Sequence, residues 1–326
     1  VDREGCMEFD VSAVCAIVEY SSRTAERQDK LSTRFNHLAE ILCEAVTWAK
    51  LEGAELVTAA HIQKTIYEKE QRMKLYEEKL DEMLEENVIM IDTEGAEIGQ
   101  INGLAVLDMG NYAFGNPSRI TATTYVGKSG IVNIEKEARL SGQTHDKGVQ
   151  IITGFLGQTY AQNFPLSLSC RVCFEQNYNG IDGDSASSTE LYCILSSLAE
   201  LPIRQDLAVT GSVNQKGEIQ AIGGVTHKIE GFFDLCRKRG LTGTQGVMIP
   251  VSNVKDLVLK DEVVQAVKDG LFHIYPISKI DEGIELLMGL SAGKKNKAGN
   301  FPANSVHGRV MKKLKAFDKR AQGEEE

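Results

Sequence analysis

The stretch Asp182-Gly183-Asp184-Ser185-Ala186-Ser187-Ser188-Thr189-Glu190-Leu191-Tyr192-Cys193-Ile194-Leu195 decides the reading of this chain. Its first half is small, acidic and glycine-bearing. Its second half begins a helix, with Leu191, Ile194, Leu195, Leu198 and Leu201 at helical spacing. Ser185 therefore falls just before or within a first helical turn, where free N–H groups and the helix dipole favour developing negative charge. A serine hydroxyl is a weak nucleophile until a base takes its proton. A candidate base stands further on, in Gly223-Gly224-Val225-Thr226-His227-Lys228. Ile229, Phe232, Phe233 and Cys236 share one face of the helix that follows, with Gly240 as its C-cap. Lys228 would project from the first turn, an unfavourable place for positive charge, and burial lowers an amine pKa from its free value of about 10.4. Taken singly, Ser185 reads as a helix cap and Lys228 as solvated surface. Taken together they form a nucleophile and base, a known variant of the triad logic. The reaction implied is hydrolysis of an acyl bond, foremost a peptide bond, through a serine ester.

Working outward, further blocks stand in order: Gly99-Gln100-Ile101-Asn102-Gly103-Leu104-Ala105-Val106, Phe114-Gly115-Asn116-Pro117-Ser118-Arg119-Ile120-Thr121-Ala122, His145-Asp146-Lys147-Gly148-Val149 and Gly246-Val247-Met248-Ile249-Pro250. With the serine and lysine motifs they resemble the Lon proteases, in particular the LonB and LonC-type branches. The resemblance covers about half of the chain in recognisable blocks. It implies Ser185 as nucleophile and Lys228 as general base. It implies that Thr210, in Val209-Thr210-Gly211-Ser212-Val213, hydrogen-bonds the lysine, and that Asp182 and Asp184 support the loop before the nucleophile. It also implies a homo-hexameric ring enclosing a proteolytic chamber, with unfolded or damaged proteins as substrates.

Composition fits an ordinary globular enzyme. The chain has 326 residues, 42% hydrophobic and 25% charged, with a formal net charge of −10. That balance argues against general nucleic-acid affinity. No apolar run approaches the ~18 residues of a membrane span, and no signal peptide is visible. A cytoplasmic location is the expectation. The start at Val1-Asp2-Arg3, without methionine, points to a piece of a longer protein. Seven cysteines, an odd number, suggest reduced thiols. Cys170-Arg171-Val172-Cys173 has metal or redox spacing, but it sits in an apparent strand that turns the two thiols apart, and no second pair completes a zinc site. No metal is expected.

The fold class expected is α+β: a helical domain over 1–87, a mixed α/β domain over 88–290, and a basic, flexible tail over 291–326. Val11 to Tyr20 suits one helix. A second runs from Leu31 through Val46 with Ser32 or Thr33 as cap, and a third, long one opens at Thr58 and becomes charge-rich from Glu68 to Glu86. This block resembles the lid domain of AAA+ ATPases, and by that resemblance Arg34 takes the nucleotide-sensing position. The plain alternative is an arginine paired with a surface acid. Ala122-Thr123-Thr124-Tyr125-Val126-Gly127-Lys128-Ser129 approaches a Walker A motif but lacks its first glycine, and Gly127 to Gly130 reads as a hairpin turn. Peptide hydrolysis by this chain therefore needs no cofactor, while ATP and magnesium would belong to the full-length protein.

From Val88 the pattern changes to short strands: Val88 to Ile91, Ala105 to Leu107, Ser118 to Tyr125, Ile131 to Ile134, Leu166 to Phe174 and Val247 to Pro250. Helices are interleaved, ending with Ile280 to Leu290. The tail carries nine Lys/Arg against four Asp/Glu, could form a short basic helix over Val306 to Phe317, reads as a solvated end, and offers only a weak hint of nucleic acid or an acidic partner surface. Its Ser291-Ala292-Gly293-Lys294 matches S-x-x-K but has no buried helix to hold the pair. Two other readings stand beside the Ser-Lys peptidase. In one, His227 or His145 is the base for Ser185. In the other, the chain is a non-catalytic binding or assembly platform whose serine and lysine never meet.

Overall fold

The computed structural model describes residues 7–110 and 112–323. The expectations that touch residues 1–6 and 324–326 lie outside them. Four helices come first: α1 (Val11–Thr24), α2 (Phe35–Leu51), α3 (Ala59–Met73) and α4 (Leu75–Glu85). Asp10 caps α1 by accepting the Ala13 N–H at 2.8 Å. Ala13, Ile41, Ala45, Ala49, Val57 and Ile62 close a small core among α1, α2 and α3.

Three details differ from the sequence expectation here. Helix α2 begins only at Phe35, because the Ser32 hydroxyl accepts the Arg34 N–H in a local turn instead of capping a helix. The expected long third helix is broken at Lys74. Beyond the break α4 is drawn toward the second domain: Leu84 is buried with Ile91 and Leu235, and Lys238 reaches Asp81 at 2.7 Å and Glu85 at 3.2 Å. Val88 to Ile91 is not a strand. The Val88 and Ile89 N–H groups close the end of α4 on the Met83 carbonyl, with Asn87 left-handed (φ 56°), which removes them from any ladder.

The second part is built on β1 (Ala96–Glu97), β2 (Gln100–Asp108), β3 (Ala113–Val126), β4 (Gly130–Asn133), α5 (Ile134–Glu137), α6 (Gln143–Tyr160), β5 (Leu168–Phe174), α7 (Ser187–Ala199), β6 (Ile203–Arg204), β7 (Leu207–Val209), β8 (Ser212–Val213), β9 (Ile219–Gln220), α8 (Val225–Arg239), β10 (Gly246–Pro250), α9 (Asp261–Lys268), β11 (His273–Ile277), α10 (Ile280–Met288) and α11 (Val306–Ala321). Seven strands form one mixed sheet in the order β11-β10-β7-β2-β3-β5-β4. The period of two divides its faces. Leu207, Val209 and Met248 join a core with α6, α7, α10 and α11, whereas Ala208, Val247 and Ile249 join another with α8 and α9. The result is the expected α+β arrangement, with helices on both sheet faces.

The turn at Gly127 to Gly130 is not a hairpin. Strand β4 pairs in parallel with β5, which lies between β4 and β3. Strand β4, not a helix, follows the Walker-like stretch directly, so no phosphate loop forms there. The tail forms the short helix expected over Val306 to Phe317, as part of α11, but not as a solvated, flexible end. Val306, Val310, Leu314 and Phe317 recur every three or four residues and are buried in the main core, while Lys312, Lys315 and Lys319 face solvent. His307 is buried between Tyr160 and Asp281, with Nδ1 at 2.5 Å from the Tyr160 Oη and Nε2 at 3.1 Å from the Asp281 carboxylate.

Helix α8 crosses β3 at two glycines. A Cβ at Gly231 would overlap the Gly115 carbonyl oxygen, and one at Gly115 would overlap that of His227. Backbone atoms cannot rotate away. Alanine is the better helix former by about 1 kcal/mol, yet Gly231→Ala is expected to melt at lower temperature, since overpacking costs roughly 1–3 kcal/mol. A thermal melt of the variant that matches the wild type would contradict this close crossing.

Candidate active site

Ser185 lies in the turn that leads into α7 and is half-buried. The turn is fixed from both sides. The Ser185 carbonyl accepts the Gly211 N–H at 2.8 Å, and the Gly211 carbonyl accepts from the Ser188 N–H at 3.1 Å and the Ser188 hydroxyl at 2.8 Å. Asp182 Oδ1 accepts the N–H groups of Gly183 (2.8 Å), Thr144 (3.1 Å) and His145 (3.3 Å), which ties the approach to the start of α6. These bonds also hold its carboxyl below the usual range. Asp184 Oδ2 accepts the Ser212 hydroxyl at 2.9 Å. Helix α7 is buried almost throughout, and its Ser188 and Thr189 hydroxyls are satisfied by the carbonyls of Gly211 and Val209.

Lys228 enters from the other side, in the first turn of α8, with 3% of its surface exposed. Its Nζ donates to the Ser185 Oγ at 2.9 Å and to the Thr210 Oγ1 at 3.2 Å. Thr210 follows β7, where the sheet holds its N–H on the Met248 carbonyl at 3.1 Å. Burial lowers the Lys228 pKa to about 8, against the opposite pull of the Asp184 and Glu26 carboxylates. The structure thus brings together Ser185, Lys228 and Thr210, with Asp182 and Asp184 supporting the loop.

Neither histidine joins them. His145 is buried with Nε2 at 3.1 Å from Glu190 Oε1, and its Nδ1 faces Ser141 and Asn133. His227 points into a cleft between the helical domain and α8, and burial lowers its pKa. Arg34 lines that same cleft with Arg23, His37, Lys69 and Tyr112, is exposed, and pairs with no acid among the described residues. The cleft excludes Ser185 and Lys228. Arg23 and Lys69 are already paired with Glu230 and Glu40, and Glu26, Glu70, Glu77, Asp108 and Asp234 also line the cleft, so the described residues do not complete a nucleotide site around Arg34. Among the described residues no cluster of three or more His, Cys, Asp or Glu could hold a metal ion. Cys170 and Cys173 lie on opposite faces of β5 as free thiols. No helix among the described residues is long and apolar enough to cross a membrane.

Residues 8–72 match the family model of the archaeal LonB AAA+ ATPase lid domain, and residues 172–289 match the C-terminal proteolytic domain of Lon protease (S16). The chain belongs to the Lon protease family. It is 44% identical over 218 residues to a Lon protease homolog of Escherichia coli (strain K12), covering 66% of this chain and 37% of that protein. It is 35% identical over 319 residues to one of Haemophilus influenzae, covering 96% and 52%. An archaeal Lon protease of Archaeoglobus fulgidus is 28% identical over 291 residues, covering 88% and 43%. The chain spans about half or less of the length of these Lon relatives. Its Lon-type proteolytic domain contains the Ser185–Lys228 contact, and its lid domain contains Arg34.

The sequence reading missed the residues that hold the site from a distance. Gly211 and Ser212 stood within the quoted Thr210 motif, and their backbone and hydroxyl roles appear only once β7 and β8 face the serine loop. Glu26 lies about 200 positions before the lysine helix, and no local pattern joins the two.

Proposed function

We propose that this Lon-family chain is a serine endopeptidase that cleaves unfolded or damaged proteins through an acyl-enzyme on Ser185. The observation that carries the reading is the 2.9 Å contact between the Ser185 Oγ and a buried Lys228 whose pKa is lowered to about 8. A neutral amine at that distance accepts the serine proton as Oγ attacks the scissile carbonyl. The resulting ammonium then donates to the leaving amine, and water enters by the reverse path. Thr210 Oγ1 holds the amine in line. The N–H groups of Ser185 and Ala186, at the positive end of α7, have no partner among the described residues and suit the oxyanion. The formed contact favours catalysis over a dormant platform.

Activity follows the neutral lysine, so its sign with pH is fixed. Below the lysine pKa the ammonium cannot accept a proton and turnover falls; above it turnover levels off. The kcat/KM of peptide hydrolysis is therefore expected to rise with an apparent pKa of about 8. A limb near the ordinary histidine value of about 6.5, abolished by His227→Ala, would replace Lys228 as the base.

The wider reading is a six-membered ring in the cytoplasm, with ATP and magnesium used by the rest of a longer chain. Light scattering of the purified chain tests the ring. Peptide and casein hydrolysis with and without ATP tests the division of labour.

A further inference from the structure

Lys228 reaches Ser185 from the first turn of α8, so whatever fixes the start of α8 fixes the amine. The proteolytic domain does not hold that start alone. The turn between α1 and α2 of the lid grips it. Glu26 Oε2 accepts the N–H of Gly224, the N-cap of α8, at 3.2 Å. Arg23, at the end of α1, places both terminal guanidinium nitrogens on the Glu230 carboxylate at 2.7 and 2.6 Å, two residues beyond Lys228. Arg23 also donates to the Val258 carbonyl at 2.9 Å, and Gln28 donates to the Lys255 carbonyl at 3.2 Å and the Leu257 carbonyl at 2.8 Å.

Two features show that this grip is tight. Gly224 is left-handed (φ 66°), and a Cβ there would lie 2.6 Å from Val106 Cγ2, so β2 blocks the cap on one side while Glu26 holds its N–H. Glu26 is itself left-handed (φ 50°), a conformation natural for glycine and uncommon for glutamate. A side chain aimed at a helix cap from a backbone that resists it fits a functional constraint.

We propose that Glu26 is a positioning residue for Lys228, and that the α1–α2 turn is the part through which the lid sets the activity of the Ser185–Lys228 pair. The proposal rests on that pair being the catalytic one. A lid that moved away would release Gly224 and free the first turn of α8 to carry the amine off Ser185.

The charged and titratable groups that face this end of α8 are Glu26 and Arg23 from the lid, Asp184 from the serine loop, His227 and Glu230 on α8, and Lys260 before α9. Of these, Asp184 and Glu26 favour the Lys228 ammonium. Glu26→Gln keeps an oxygen for Gly224 but removes the charge. Its kcat/KM limb is expected to move to lower pH, by roughly half a unit. Glu26→Gly relieves the left-handed strain and removes the bond. It is expected to melt at or above the wild-type temperature while its plateau kcat falls about 5- to 10-fold, since a small misplacement of a reacting group is costly. A merely structural Glu26 could not separate stability from kcat in that way. A wild-type plateau kcat in Glu26→Gly, or a plateau kcat in Glu26→Gln as low as in Glu26→Gly, overturns the proposal. Lys228→Met is measured beside them. Activity in that variant sinks the Ser-Lys reading itself, whereas an inactive Lys228→Met beside wild-type Glu26 variants sinks this inference alone.

Discussion

Lys228→Met is expected to lower peptide turnover by at least about 10³-fold and to leave the melting temperature unchanged or higher. Among the described residues the Nζ has two hydrogen-bond partners, the hydroxyls of Ser185 and Thr210. Methionine keeps the length of the side chain and fills the same buried space. It removes an amine that burial has already pushed toward its neutral form, so little folding energy depends on it. The Thr210 hydroxyl is not orphaned, since its Oγ1 already reaches the Ser185 carbonyl at 3.3 Å, and the half-buried Ser185 is open to water. Ser185→Ala should lose a similar factor, and the double variant little more, because the two act as one unit. Hydrolysis of a fluorogenic peptide, read beside a thermal melt, checks both halves. Lost activity with an unfolded protein would mean that the lysine is structural.

The largest stability effect is expected at the C-terminal helix. Deleting residues 305–323 would uncover the face of the core that Val306, Val310, Leu314 and Phe317 close, and would strip Tyr160 of its His307 partner. Leu314 and Phe317 are 1% and 4% exposed. Truncation of such residues to alanine costs roughly 2–5 kcal/mol each, a large part of the stability of an ordinary domain. The deletion should therefore abolish a cooperative melt, and Leu314→Ala should lower the midpoint by several degrees. Lys315→Ala, on the exposed side of the same helix, should change little. Circular dichroism melts of the three variants distinguish a structural helix from a solvated tail. A deletion variant that melts like the whole chain would restore the flexible reading.

That helix also shows what the sequence could and could not give. A short basic helix over Val306 to Phe317 was legible, but the excess of lysine read the whole helix as solvated and hid the buried face of Val306, Val310, Leu314 and Phe317. Composition reports solvent exposure on average, whereas the lysines here occupy only the outer face. The Ser185 and Lys228 motifs were legible because the helix starts, the glycine pair and the apolar spacing are local. Asp182 was legible as a loop residue for the same reason, although its three N–H partners belong to a different part of the fold. The order of the sheet was not legible. Strand β4 passes beyond β5 before pairing, and no local feature of Gly127 to Gly130 separates that crossover from a hairpin. Val88 to Ile91 had the composition of a strand, but the end of α4 took its N–H groups first. The lid's hold on α8 depends on Arg23, Glu26 and Gln28 meeting residues roughly 200 positions later, a relation that no single-sequence pattern carries.

The proposed reaction requires that Ser185 is a nucleophile already paired with its base. Its most direct test is native intact-mass spectrometry of the chain with a peptidyl boronate. One adduct per chain is expected in the wild type, mapped to Ser185, and none in Ser185→Ala. An unlabelled wild type, or an adduct that survives in Ser185→Ala, would contradict it.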